Sequence, residues 1–213
     1  QRVAVARALV LEPSILLFDE PLSNLDARLR RKVREDIRAL QKDLGLTVVY
    51  VTHDQEEALA VSDEVIVMSN ARIAQKASPR DLWEAPANLF VADFIGDANV
   101  ADGRITALEG DQAVVDLAGA TTRIPARGQS VGPVKVAIRP DAFAVHAADG
   151  ADRAGGIAGT VKTAAYLGKH LEYGIETALG ELFITAPADR LPLSPGSSVV
   201  LTPKSHGIAI VPS

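Results

Sequence analysis

The chain has 213 residues, 47% of them hydrophobic and 23% charged, with a formal net charge of −5. That composition is globular, excludes a disordered chain and argues against a protein that holds nucleic acid on a basic surface. It contains no cysteine, so there is no disulfide framework and no thiolate metal site, which suits a reducing cytoplasm.

No apolar run approaches the roughly 20 residues that span a bilayer, and no signal peptide is visible. The first residue is Gln1, which leads us to expect a piece of a longer protein. Gln1 to Leu11 reads as the body of a helix, with Val3, Ala6, Leu9 and Val10 roughly on one face and Glu12-Pro13-Ser14 stopping it. Ile15 to Phe18 is a short, wholly apolar strand of the kind buried in parallel sheets. Asp26 stands where an N-cap belongs, and an amphipathic charged helix runs from it to about Asp43, ended by Gly45. Leu46 to Val51 is a second buried strand, Asp54 to Val61 a short helix, and Glu64 to Ser69 a third strand. This β-α-β-α-β rhythm predicts an α/β domain with a parallel sheet. Pro79 to Glu84 and Asn88 to Ile95 read as two short helices leading away from it.

Composition changes near residue 98, which divides the chain into 1–98 and 99–213. Short β-type runs then recur between glycines and prolines: 113–117, 135–138, 159–163, 171–177, 181–185, 198–201 and 208–211. They predict an all-β barrel or sandwich. Ala147 to Gly156, rich in Ala, Gly and Asp, reads as a loop.

The chemistry concentrates in ILLFDEPLSNLD, Ile15 to Asp26. An apolar strand ending in Asp19-Glu20 sets two carboxylates at the rim of a parallel sheet, where such folds bind ligands. Asp19 offers the hard oxygen that Mg²⁺ prefers, directly or through water. Neighbouring strand residues point to opposite faces, so Glu20 aims elsewhere and is free to polarise a water for attack on phosphorus. His53, just past the second strand in VVYVTHD, can donate a hydrogen bond to a terminal phosphate or to that water. Alone, the acid pair would be a turn and the histidine a cap. Together, at parallel strand ends, they point to a site.

ILLFDEP, then LSNLD, then VVYVTHDQEEA, resembles the nucleotide-binding subunit of an ABC transporter. ILLFDE is similar to that family's Walker B segment and SNLD to its D-loop; His53 falls on its H-loop histidine, and QRVAVARAL is similar to the helix after its signature sequence. The resemblance implies a partial P-loop NTPase fold that uses ATP and Mg²⁺. It makes Glu20 the catalytic base and puts His53 on the γ-phosphate and Asp19 beside the metal. Ser23 and Asp26 would join the nucleotide site from the face toward a partner subunit, since the family hydrolyses ATP between two subunits. ARIAQKASPRDLWEAPANLFVADFIG, VAIRPDAF and GTVKTAAYLGKHLEYGIET resemble importer ATPases of the maltose, polyamine and ferric-iron type, which end in a β-rich, OB-like TOBE domain. FIGDANV is nearer the ferric-iron, phosphonate and polyamine members than the sugar ones. The implied partners are a second copy, membrane-spanning permease subunits and, indirectly, a solute-binding protein, with the ATPase peripheral on the cytoplasmic face of the membrane.

The sequence departs from that pattern in one important way. No GxxxxGK[ST] occurs in it, nor the signature or glutamine loop, so this chain alone is expected neither to hold nor to hydrolyse ATP. Two other readings stand beside the importer subunit: a stand-alone regulatory module binding a small oxyanion, and a non-transport ABC ATPase. The basic run Arg28 to Asp36 reads as a solvated helix face, Trp83 as an anchor between the two halves, and Tyr166 and Tyr173 as supports of the β core. His170 and His206 have no metal-ligand spacing.

Overall fold

The computed structural model describes residues 7–10, 13–148 and 155–212. The helix expected over Gln1 to Leu11 and the loop over Ala147 to Gly156 lie largely outside them. The chain forms two compact units, Gln1–Ile66 with Lys76–Pro79, and Val67–Gln75 with Arg80–Ser213.

In the first unit, strand β1 (Ile15–Asp19) leads to helix α1 (Ala27–Leu44), strand β2 (Thr47–Val51) and helix α2 (Gln55–Val61). α1 begins and ends as its sequence dictates. The Asp26 carboxylate accepts from the Arg28 and Leu29 amides, satisfying donors that a helix start leaves open. At the other end Gly45 turns left-handed at φ 61°, and the Leu46 amide reaches back to the Gln41 carbonyl at 3.0 Å, a Schellman ending. β1 and β2 pair in parallel, from Ile15 beside Thr47 to Asp19 beside Val51.

Here the sequence expectation needs two corrections. The parallel sheet has two strands among the described residues, because β3 (Val65–Ser69) pairs with β4 (Arg72–Ala77) in a sheet of its own. The cause is local: Asn70 and Ala71 both take positive φ, 49° and 58°, which is what a two-residue hairpin turn requires. Nor are β1 and β2 buried throughout: Leu16 is buried, but Leu17 is 73% exposed and Val51 53%.

The second unit carries helices α3 (Pro79–Glu84, all but its first residue) and α4 (Leu89–Phe94) and ten strands: β5 (Asn99–Glu109), β6 (Gln112–Leu117), β7 (Ala120–Pro125), β8 (Gly132–Ile138), β9 (Phe143–Ala147), β10 (Ile157–Tyr166), β11 (His170–Thr177), β12 (Gly180–Pro187), β13 (Ser198–Pro203) and β14 (Ile208–Val211). They form two five-stranded antiparallel sheets, ordered β12-β11-β10-β13-β9 and β14-β8-β5-β6-β7. Strict alternation along β6 puts Ala113, Val115 and Leu117 inside. They join Ile105, Ile138, Phe143, Leu171, Ile175, Ile184 and Leu201 in one core shared by both sheets. Each of these Val, Leu, Ile and Phe side chains contributes about 1.5–3 kcal/mol on leaving water. Bulges between Ile105 and Ala107 and between Val161 and Thr163 curl the sheets. The result is an all-β, OB-like module, as expected for the second half. Tyr173 is in its core, but Tyr166 is 62% exposed at the end of β10 and supports no core.

Trp83 anchors within this unit. Its ring lies 4.3 Å from the Arg139 guanidinium. Arg139 is 2% exposed; it donates to the carbonyls of Ala92 and Trp83 at 2.8 Å each and to that of Ile95. Beside them Gly96 turns at φ +82°, and a Cβ there would meet the Trp83 ring at 2.3 Å. Gly96→Ala is therefore expected to destabilise the β module by about 1–3 kcal/mol, through backbone strain and overpacking. Thermal unfolding measures it, and an unchanged midpoint would show that the ring yields freely.

Candidate active site

Because β1 and β2 run in parallel and in register, both release their next residues at one rim. Glu20 follows Asp19 there, and its amide donates to the Val51 carbonyl at 2.9 Å, extending the ladder one step. Thr52 and His53 follow Val51. The His53 Nδ1 then stands 3.0 Å from the Glu20 Oε1. Both side chains remain accessible, His53 at 73% and Glu20 at 47%, so the pair faces solvent with room for a ligand. The hydrogen bond that the imidazole donates to Glu20, and then the Glu20 charge, hold the imidazole pKa above the ordinary histidine value.

Glu20 itself takes φ 44°, a left-handed conformation uncommon outside glycine. Its carbonyl accepts from the Ser23 hydroxyl at 3.1 Å. Three of the expected site residues, Glu20, Ser23 and His53, are thus joined directly. Asp19 closes β1 opposite Val51. The Asp26 Oδ1 is engaged in capping α1, at 3.0 Å from each amide. Among the described residues no three or more histidines and acids are grouped to hold a metal. Asp19 fits Mg²⁺ only as a single oxygen donor to an ion that arrives with phosphates, which is how Mg²⁺ is commonly held.

Sequence reasoning missed the residues beneath this rim. Glu57, 3% exposed, accepts on its Oε2 from the Tyr50 hydroxyl at 3.1 Å and the Thr52 hydroxyl at 2.9 Å. Its Oε1 stands 3.6 Å from Arg30 Nε. Burial, then the Glu57 charge, push the Tyr50 pKa up, so the phenol stays a donor. A signal for Glu57 was present: it stands three residues after Asp54, the spacing of a helix-start box, and its amide donates to Asp54 Oδ1 at 3.1 Å. Arg30 likewise departs from the solvated face read for the basic run.

Residues 136–210 match the family model for the TOBE domain, from β8 to β14. The class is therefore a TOBE-bearing chain with a parallel-strand rim carrying Asp-Glu and His. The Fe(3+) ions import ATP-binding protein FbpC of Brucella melitensis is 57% identical over 211 residues, covering 99% of this chain and 59% of that protein. The protein of the same name from Rhizobium etli is 54% identical with the same coverage. Along 99% of its length the chain is thus similar to ATP-binding proteins named for Fe(3+) import, it carries a TOBE domain, and it spans about three-fifths of the length of these curated relatives. Among solved structures, the cytoplasmic molybdate-binding protein ModG aligns at 20% identity and a TM-score of 0.43, covering 54% of this chain and 96% of that one; a likeness that low carries nothing about ligand.

Proposed function

We propose that the complete protein is the ATP-hydrolysing subunit of an import system for ferric iron. The observation that carries this reading is the 57% identity along 99% of the chain to a protein named for Fe(3+) import, in a chain whose Glu20 and His53 meet at 3.0 Å. Residues 1–98 are then the C-terminal half of a P-loop nucleotide-binding domain, and 99–213 a regulatory TOBE domain. Glu20 is the base that polarises the attacking water. His53 contacts the γ-phosphate and is oriented by Glu20. Asp19 assists the Mg²⁺ that accompanies ATP, which would supply charge neutralisation on the phosphates. Ser23 and Asp26 face a second copy of the chain. The subunit acts as a homodimer on permease subunits at the cytoplasmic face of the membrane and is served by a solute-binding protein. The 213-residue chain alone has no GxxxxGK[ST] and is proposed to be inactive.

The test is uptake. In a host deprived of its own ferric-iron importer, the complete protein with its permease is expected to restore Fe³⁺ accumulation, measured with radioactive iron. Uptake of a polyamine or phosphonate instead would move the cargo assignment. Mg²⁺-dependent hydrolysis with no restored uptake of any solute would favour a non-transport ATPase.

A further inference from the structure

We infer that the pair of half-buried Arg30 and buried Glu57 is a positioning unit that holds the turn carrying His53 against Glu20 and ties that turn to the Ser23–Asp26 loop. The inference rests on the ATPase reading and deepens it; nothing in the mechanism above uses either residue.

The case begins with cost. A carboxylate buried as deeply as Glu57 is retained only where donors compensate its lost hydration. Glu57 has two hydroxyl donors and a guanidinium, and all three are placed around His53. Thr52 precedes His53 and donates to Glu57 Oε2 at 2.9 Å, while its Oγ1 accepts from the Asp54 amide at 3.0 Å. Asp54 follows His53 and is fixed twice, by the Glu57 amide on Oδ1 at 3.1 Å and by Arg30 Nη1 on Oδ2 at 3.2 Å. His53 is therefore the exposed crest of a three-residue turn whose other two members are both pinned to Glu57. Tyr50 pins the strand below it through a bond of 3.1 Å.

Arg30 supplies the second link. Its Nη2 donates to the Leu25 carbonyl at 3.2 Å, and Leu25 lies in the loop between Ser23 and Asp26. One guanidinium thus bridges the loop after β1 to the turn after β2, the two segments whose side chains meet as Glu20 and His53. Its Nε is buried without a hydrogen bond and stands 3.6 Å from Glu57 Oε1. The charge pair, rather than a bond at that atom, compensates it. A neutral residue at 57 would leave this buried Nε without its counter-charge and Arg30 with Asp54 as its remaining acid, and Thr52 and Tyr50 would lose the carboxylate that holds them.

The experiment uses the complete protein and compares wild type, Glu20→Gln, Glu57→Gln, Arg30→Gln and the pair Arg30→Gln/Glu57→Gln. Glu57→Gln is expected to lower kcat on the order of 10²-fold with KM for ATP unchanged, because misplacing a positioned group by about 1 Å costs that much. The double variant is expected to lose less than the two single losses added, the sign of a coupled pair. A second readout is independent of turnover. The His53 imidazole titration followed by NMR should move down toward the Glu20→Gln midpoint in Glu57→Gln and also in Thr52→Val, which keeps the Glu57 charge that itself raises the His53 pKa, because the ring is no longer held against the Glu20 carboxylate. If Glu57→Gln fails to fold, Thr52→Val carries the same two readouts. A wild-type kcat and an unmoved His53 midpoint in a folded Glu57→Gln overturn the inference while leaving the ATPase reading intact. Absence of turnover in wild type overturns the ATPase reading itself.

Discussion

Arg139→Ala should unfold the β module at a markedly lower temperature, with a loss of at least about 3 kcal/mol. The magnitude follows from what the guanidinium touches. It donates to three backbone carbonyls, those of Trp83 in α3, Ala92 in α4 and Ile95 just beyond it. Carbonyls at the ends of helices have no partner within the helix, and a cation there also meets the negative end of the helix dipole. Each buried acceptor left without a donor costs about 1–3 kcal/mol, with some relief if water enters the space. The stacking of Arg139 on Trp83 at 4.3 Å adds about 2 kcal/mol when the cation is desolvated. Burial pushes the guanidinium pKa down to about 10, against a smaller upward pull from Asp141, so the group is still fully cationic at neutral pH. Arg139→Lys should recover only part of the loss, because one ammonium cannot present the planar fork that reaches three carbonyls and the ring together. Chemical denaturation monitored by the fluorescence of Trp83, the sole tryptophan, measures both. A loss under about 1 kcal/mol for Arg139→Ala would mean that water satisfies the helix ends as well as arginine does.

That residue also shows where sequence reading stops. VAIRPDAF marks a recurring phrase of the β domain, but nothing in it says that its arginine turns inward to close two helices lying more than forty residues earlier. Long-range polar contacts have no period. What has a period was legible: α1 with its Asp26 cap and Gly45 stop, the two parallel strands, and seven of the ten β-module strands. The three that escaped have physical reasons. β5 buries only Ala101 and Ile105 and carries Asp102, Gly103 and Arg104 between them, so its alternation is diluted. β7 buries only Ala120 and Ile124. β9 is five residues long and holds His146. β4 escaped because Asn70-Ala71 does not announce a hairpin as Asn-Gly would. At the rim the exposed members Asp19, Glu20 and His53 were legible, since strand ends in a parallel sheet converge by geometry. Glu57 was legible only as a member of a helix-start box three residues after Asp54, not as a buried acid, because on a short helix a buried acid looks the same in sequence as a solvated one.

Glu20→Gln in the complete protein is expected to reduce ATP turnover about 10²–10⁴-fold, the usual contribution of a positioned general base. The change is nearly isosteric, so stability should hardly move, and the loss falls on kcat rather than on nucleotide affinity. The same variant reports on His53. In the native arrangement the imidazole sits 3.0 Å from the Glu20 carboxylate and its pKa is raised by that bond first and by the charge second. A raised folded-state pKa fixes the sign of the linkage. The contact stabilises the protein fully below the unfolded histidine value, about 6.5, and the contribution fades as pH rises through the higher folded value. Glutamine at position 20 keeps an acceptor but no charge, so the His53 midpoint should fall back toward 6.5. The consequence for chemistry is specific. Below its midpoint the imidazolium occupies Glu20 and opposes its use as a base. Above it, a neutral ring donating from Nδ1 leaves the carboxylate ionised and the turn in place. Turnover in wild type should therefore climb with pH across the His53 midpoint, and the small residual rate of Glu20→Gln should not follow that limb. A residual rate that still climbs with the histidine, or a midpoint equal in wild type and variant, would show that the two side chains do not meet in solution.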